Sequence, residues 1–379
     1  MIVSLKDGLK LLGIIIVVFC AVFVCTFFLN FYLDAKAIEG IIDSPETKTL
    51  YDAQMATAKF TCAISGGFLG LIAIVMLVFY IKLYIDGNAS KLGVLKAFGY
   101  ANKEIALRFA VFGLSVLIGC VLGFCGGFII MPTVYKGMAI SGLPEIAISF
   151  HYELLIMIVI LPPVVFSFLS FLYAVIALKR PVNEMLRGKC EKVKIKEDKK
   201  EKERGFLKAL FLKTLFGKKS LAFFVAFACF CFSAMVQMAA SMRDLSSETM
   251  GAIIFLIGVV LAVTTIFMAL TSLVNSNIKN ISIMKAFGYS VKECVIAVLG
   301  GQHLFAFIGF AVGTAYQYGL LSLMVNIVYK DVAGMPEYNF DVPVFFITLA
   351  VFIVLYEAVT LFYASKINKI PLKEVMLEN

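Results

Sequence analysis

No phosphate-binding loop occurs in this chain of 379 residues. The nearest approach, GKKS at Gly217–Ser220, lacks the upstream glycine that G-x-x-x-x-G-K-S/T requires, so the chain is not expected to hold nucleotide. Histidine is scarce, with two residues, and no His, Asp and Ser side chains cluster in the sequence as a catalytic constellation would. A membrane enzyme is therefore the least favoured reading, with no catalytic residue, metal site or cofactor expected in this chain. The nine cysteines fall in apolar runs or in the charged middle of the chain, none in a segment expected outside the membrane, so no disulfide is expected. Cys229 and Cys231 fit no metal-ligand spacing and read as small buried apolar residues. No cleavable signal peptide is evident, because the apolar block after Lys10 is long enough to remain as a span.

What is present is apolar. The hydrophobic share is 61%, well above the ~45–50% of a soluble domain, which makes this an integral membrane protein. A bilayer core of ~30 Å takes about 20 residues of helix. Eight blocks meet that length, near residues 11–33, 60–84, 105–131, 152–178, 220–242, 249–274, 294–328 and 342–364. They are apolar throughout, without the alternation of barrel strands. The expected fold is therefore all-α, with eight transmembrane helices. The seventh block is too long for one straight span; either Gly300-Gly301 marks a break or the helix protrudes. With the N-terminus inside, inner segments carry 28 Lys and Arg against 12 Asp and Glu, and outer segments 6 against 12. Both termini are therefore expected in the cytosol. The net charge of +9 is a topology signal and does not argue for nucleic acid.

One pentapeptide is written twice. KAFGY stands at Lys96–Tyr100 and again at Lys285–Tyr289, followed each time by a Lys-Glu pair, Lys103-Glu104 and Lys292-Glu293. Leu92, Leu95 and Phe98 recur at helical spacing, predicting a short amphipathic helix that Gly99 ends in the left-handed conformation. In the second copy Ser290 and Glu293 form an S-x-x-E capping box; in the first Ala101 replaces the serine, and Asn102 is the expected substitute cap. Further matches follow at similar offsets. Gly119, Gly123 and Gly127 answer Gly309 and Gly313 as helix-packing positions. Tyr135-Lys136 with GLPE at Gly142–Glu145 answers Tyr329-Lys330 with GMPE at Gly334–Glu337, and Pro181 and Glu184 answer Pro371 and Glu374. The chain thus divides into repeats at 1–186 and 205–379, joined by a charged linker, 187–204, that reads as a solvated helix or tether. The first ten residues and Gly205–Ser220 read as interfacial helices, each leading into its half. Four spans per half make the two repeats parallel, so both KAFGY segments face the cytosol. A single ligand needs no such pair; a symmetric two-headed partner does. Interfacial Phe and Tyr at a glycine-ended turn also suit a purely geometric role, which leaves the recurring lysines and glutamates unexplained.

The segments SKLGVLKAFGYANKEI and KNISIMKAFGYSVKEC resemble the signature of the FtsX-like permease family, roughly E-I-G-[IV]-L-[KR]-A-[LIM]-G-[AY]-[ST]-x-x-[EQ]-I. The usual acidic residue before the motif is Lys91 in one copy and Asn280 in the other. The resemblance spans both halves, and it implies the membrane subunit of a MacB-type ABC transporter without the large extracellular domain of many relatives. It also implies a homodimeric ABC ATPase partner on the cytosolic face, with ATP and Mg held by that partner, and residence in a bacterial plasma membrane. Coupling would then fall to Leu92, Leu95, Lys96, Ala97, Phe98, Gly99, Tyr100, Lys103 and Glu104, and to Ile281, Met284, Lys285, Ala286, Phe287, Gly288, Tyr289, Lys292 and Glu293. In this reading Lys96 and Lys285 face the ATPase while Phe98 and Phe287 anchor in a groove.

Inside the apolar runs, Glu357 and His303 stand out, each about 15 Å from a cytosolic helix end, and are expected to pair or to share a cavity. Ser167 occupies the place of Glu357 in the first half. A protonated Glu357 bonded to a neighbouring helix is the structural alternative. Gln237, Gln302 and Gln317 are weaker candidates, read as helix-to-helix bonds. The leading function is movement of an amphiphilic peptide, lipid or toxin, outward. Two others stand beside it: signalling to an extracellular or second membrane partner without cargo, and ion-coupled transport with Glu357 as proton site.

Overall fold

The computed structural model describes residues 8–41, 45–137, 146–186, 219–245, 248–328 and 339–368. Several expectations lie outside the described residues: most of the leading interfacial helix, both G-[LM]-P-E turns, the linker, residues 205–218, and the Pro371–Glu374 segment. All regular structure among the described residues is helical. Eight helices are long and apolar enough to cross a membrane, at Leu12–Lys36, Gly70–Gly87, Asn102–Thr133, Tyr152–Ala177, Leu221–Ser241, Phe255–Ile278, Val291–Leu323 and Val342–Ser365, here spans 1 to 8. Helix is what such runs must form in lipid, because it satisfies every backbone group within the segment.

Spans 2 and 6 belong to much longer helices. Pro45–Gly87 has 43 residues and Glu248–Ala286 has 39, so they reach about 65 and 58 Å, twice a bilayer core. In the first half the surplus precedes the span, away from KAFGY, whereas in the second the helix continues past Ile278 to the KAFGY cap. In the first half the helix breaks at Gly87-Asn88 and restarts as Ala89–Ala97; in the second it runs unbroken into Ala286. Asn88 and Asn277, 189 apart, make the same bond back to the carbonyls of Tyr84 and Leu273. The residue before them differs, Gly87 in one half and Ser276 in the other, and glycine is the poorer helix former.

Each half is held by a glycine-mediated crossing. Spans 1 and 3 approach so closely that a Cβ on Gly119 would lie 2.9 Å from the Ile15 carbonyl oxygen, and one on Gly123 2.6 Å from that of Phe19. A Cβ on Gly127 would meet Thr26 at 2.9 Å. Spans 5 and 7 repeat the crossing with Gly309 on Ala226 and Gly313 on Phe230. Both pairs of carbonyls are offset by 211 residues, so the repeat holds atom for atom although the linker changes the numbering between spans. The halves meet where Met268 of span 6 fills the space over Gly13 of span 1, and where Phe79 of span 2 stacks on Phe224 of span 5 with centroids 4.0 Å apart. Spans 4 and 8 are the least enclosed.

Spans 3 and 7 are both irregular near their starts, at matching positions. Span 3 tightens into a 3-10 turn at Arg108–Val111 and span 7 widens into a π-turn at Ile296–Gly300. The irregular turn ends at Gly300-Gly301, and Val291–Leu323 carries on through it as one span of 33 residues, longer than a bilayer core.

Candidate docking site at the repeated turns

The two KAFGY segments close as the same motif. Gly99 and Gly288 have φ of 91° and 85°, the positive-φ residues of the described chain. The Tyr100 N–H bonds back to the Leu95 carbonyl and the Gly99 N–H to that of Lys96; Tyr289 and Gly288 do the same to Met284 and Lys285. This is a Schellman cap, which satisfies the last free carbonyls of a helix and needs a left-handed residue at its turning point. Nothing lies within 4 Å of a Cβ built on either glycine. Alanine at Gly99 or Gly288 therefore meets strain without a clash, and thermal unfolding should show a loss of about 1 kcal/mol for each, smaller for asparagine.

The cap divides the segment into an inward and an outward side. Leu92, Ile281 and Met284 are fully buried within their own chain, and Leu95 is half-buried. Phe98 and Phe287 are 78% and 76% exposed, extreme for phenylalanine beyond the lipid-facing spans. The helix spacing placed Phe98 on the face of Leu92 and Leu95; the helix instead ends at Ala97, and the capping turn swings the ring outward. Ala97, Tyr100, Lys103 and Glu104 share that exposed surface with Ala286 and Lys292 of the second copy, while Tyr289 and Glu293 are half-buried.

The lysines, expected to face a partner, turn inward. Lys96 Nζ donates to the carbonyls of Leu178 and Arg180, both at 2.7 Å, where span 4 ends. Lys285 Nζ donates to Ile367 at 3.3 Å, where span 8 ends. Leu178 and Ile367 are 189 apart, the same offset as the lysines. A cation at a helix C-terminus answers its unpaired carbonyls and its dipole. Burial pushes the Lys96 ammonium pKa down from its ordinary value. In the first half a second tie joins the same places: Arg180 pairs with Asp86 at 2.6 Å. The closing helix Val182–Leu186 packs over Gly93, where a Cβ would sit 3.1 Å from Met185. Each KAFGY segment is thus fastened to the last span of its own half, a link that local sequence does not announce. Lys96→Met removes two charge-assisted bonds, and a stability loss of about 2 kcal/mol is expected in thermal unfolding.

The helix after each turn starts differently. Ser290 and Glu293 form the full reciprocal box, with Ser290 N–H on Glu293 Oε2 at 2.8 Å and Glu293 N–H on Ser290 Oγ at 3.3 Å. In the first copy the cap position is Ala101, and Asn102 is the first helical residue rather than the cap. Glu104 fixes that register by taking the Ala101 N–H at 3.1 Å, which is half of the box.

Other polar groups lie away from the turns. His303 Nε2 meets Glu357 Oε1 at 2.9 Å. Gln237 bonds Ser233 within span 5 and Thr314 across to span 7, and Gln317 reaches Ser241 in the same interface. Gln302 is buried. At the opposite end of the bundle stands a cluster that sequence reasoning missed. Asp34 Oδ2 accepts from Asn30 at 2.8 Å, the Tyr135 hydroxyl at 2.7 Å and the Ser149 N–H at 3.3 Å, while Oδ1 meets His151 Nε2 at 2.8 Å. It ties spans 1, 3 and 4 together. Asp34 read only as an outer charge, and 117 residues separate it from His151.

Two parallel copies of a four-span helical unit, each carrying the same exposed glycine cap, define a duplicated multi-pass membrane protein. A family model described as FtsX-like permease C-terminal matches twice, over residues 63–182 and 252–372, and the chain belongs to the FtsX-like permease family. Each match takes in the last three spans of a half and its KAFGY turn. Such permeases are membrane subunits that work with ABC ATPase partners and are not themselves enzymes. No curated protein and no solved structure matches the chain.

Proposed function

We propose that this chain is the membrane subunit of a MacB-type ABC transporter whose two KAFGY caps dock a homodimeric cassette ATPase in the cytosol. The observation that carries this reading is the pair of outward phenylalanines, Phe98 and Phe287, each standing on the same glycine cap, at the end of the short helix Ala89–Ala97 in one half and of the long helix Glu248–Ala286 in the other. A lone aromatic in water is a poor use of apolar surface, and two at repeat-related positions suit a two-fold partner with a groove on each subunit. ATP and Mg belong to that partner. Its opening and closing would draw the caps together and apart. Through Lys96 and Lys285 the same movement would reach the ends of spans 4 and 8.

The cargo is an amphiphilic peptide, lipid or toxin, moved outward. The apolar composition of the eight spans favours such a molecule over an ion or sugar. Both termini lie in the cytosol, in keeping with the excess of basic residues at the cap end. The test is reconstitution of the full chain in proteoliposomes with and without a cassette ATPase encoded beside it. The proposal expects a complex of two ATPase subunits per chain and nucleotide-dependent movement of a fluorescent amphiphile. Movement by the single chain without nucleotide would contradict it.

A further inference from the structure

The irregular turns of spans 3 and 7 leave a backbone carbonyl without its usual helical partner, at Ala110 and at Gly300, 190 residues apart. Each half satisfies that carbonyl in its own way. In the first half Ser167 of span 4 donates its hydroxyl to the Ala110 carbonyl at 3.4 Å. The hydroxyl fits only because residue 113 is glycine; a Cβ there would lie 1.7 Å from Ser167 Oγ. In the second half the counterpart of Gly113 is His303 and the counterpart of Ser167 is Glu357. His303 Nδ1 meets the Gly300 carbonyl at 3.1 Å, and its Nε2 meets Glu357. One serine has been replaced by a two-residue relay across the same gap.

The relay has a proton count that the serine lacks. A carbonyl oxygen only accepts, so the Nδ1 that meets Gly300 carries hydrogen. Nε2 and Oε1, 2.9 Å apart, then need one proton between them. It sits on the ring, giving imidazolium and carboxylate, or on the carboxyl, giving two neutral groups; the pair is neutral in both cases. That neutrality matters because the two side chains are 31% and 50% exposed on a flank whose neighbours, Leu304, Val354 and Leu361, face lipid.

We propose that His303 and Glu357 form a one-proton site that latches span 8 to the π-turn of span 7, while the Ser167 latch of the first half is permanent. Loss of the shared proton sets the Nε2 lone pair against a carboxylate, leaves a net negative charge in the apolar belt, and opens the latch. Gain of a second proton leaves an N–H that still donates to the carboxyl oxygen. The latch therefore opens by losing the shared proton and not by gaining a second. Other titratable groups near the pair are few. Tyr356 of span 8 lies edge-on to the His303 ring with centroids 5.1 Å apart, and Cys229 of span 5 lies behind Tyr356. Glu293 at the start of span 7 is held in its capping box, and Lys285 of span 6 is bonded to Ile367. Among the described residues neither His303 nor Glu357 has another ion-pair partner.

The chain has no tryptophan, so Leu361→Trp, one turn beyond Glu357, gives a single reporter on span 8. Its emission in nanodiscs of neutral lipid, followed over a pH series, should show one transition, towards a released span 8 as pH rises. The transition should vanish when the first-half latch is transplanted as His303→Gly with Glu357→Ser. It should also vanish in Glu357→Gln, whose amide still donates to Nε2, and this variant decides the matter alone if the transplant does not fold. A transition that persists in these variants, or a flat response in the parent, overturns the proposal. The readout needs no ATPase, so it fails or succeeds independently of the docking reading.

Discussion

Replacing Phe98 and Phe287 together by alanine is expected to abolish binding of the cassette ATPase, while each single change weakens it. Exposed aromatic anchors of this kind are typically worth about 2 kcal/mol or more each, close to thirtyfold in affinity. A two-headed partner held at both caps keeps partial affinity when one is lost, because the remaining head holds the other nearby. Loss of both removes that benefit as well, so the double change should weaken binding by roughly a thousandfold or more. Neither change should harm the fold, because both rings stand in solvent and leave no cavity behind. Binding measured on detergent-purified full-length chain, alongside its thermal unfolding, separates the two effects. Equal binding by parent and double variant, with unfolding unchanged, would remove the phenylalanines from the docking surface.

The second large effect concerns the fold itself. Gly309→Ala is expected to destabilise the second half by about 3 kcal/mol, at the upper end for overpacking. The new methyl carbon would stand 2.0 Å from the Ala226 carbonyl oxygen and 2.7 Å from its carbon. Those are backbone atoms, which cannot rotate away, so spans 5 and 7 must separate. In lipid their association rests on this close packing. Separation would also strain the bonds that Gln237 and Ser233 make to Thr314 nearby. Gly319 lies further along the same helix with nothing within 4 Å of a Cβ. Gly319→Ala is the matched control and should be neutral or slightly stabilising, by up to about 1 kcal/mol. Thermal unfolding of the two variants in one detergent makes the comparison; equal behaviour would mean that the crossing is looser than the geometry states.

The parts legible in sequence were those set by local chemistry. Eight apolar runs of bilayer length mark eight helices, because lipid leaves the backbone no other choice. Gly99 and Gly288 mark helix ends, because few other residues turn left-handed there. The spacing of Gly119 and Gly123 announces a close crossing. It does not say that span 1 is the partner, since that depends on contacts between residues about a hundred apart. Lys96 reads as a surface charge until the end of span 4 is placed beside it. Phe98 reads as part of an apolar face until the helix is seen to stop one residue earlier. The Asp34 and His151 pair was invisible for a different reason: each lies near a span end, where polar residues are ordinary. His303 and Glu357, set deep within apolar runs, stood out as residues that lipid does not tolerate without cause. The place of Glu357 opposite Ser167 was already legible from the repeat; that Gly113 and His303 stand beside the Ala110 and Gly300 carbonyls was not.

The most direct test of docking at the two KAFGY caps is site-specific photo-crosslinking in native membranes, with a photoreactive phenylalanine placed at 98 and, separately, at 287. The account predicts that each position captures the cassette ATPase, and that the two sites together capture both of its subunits. Crosslinks to lipid alone, or to the chain's own spans, at both positions would contradict it.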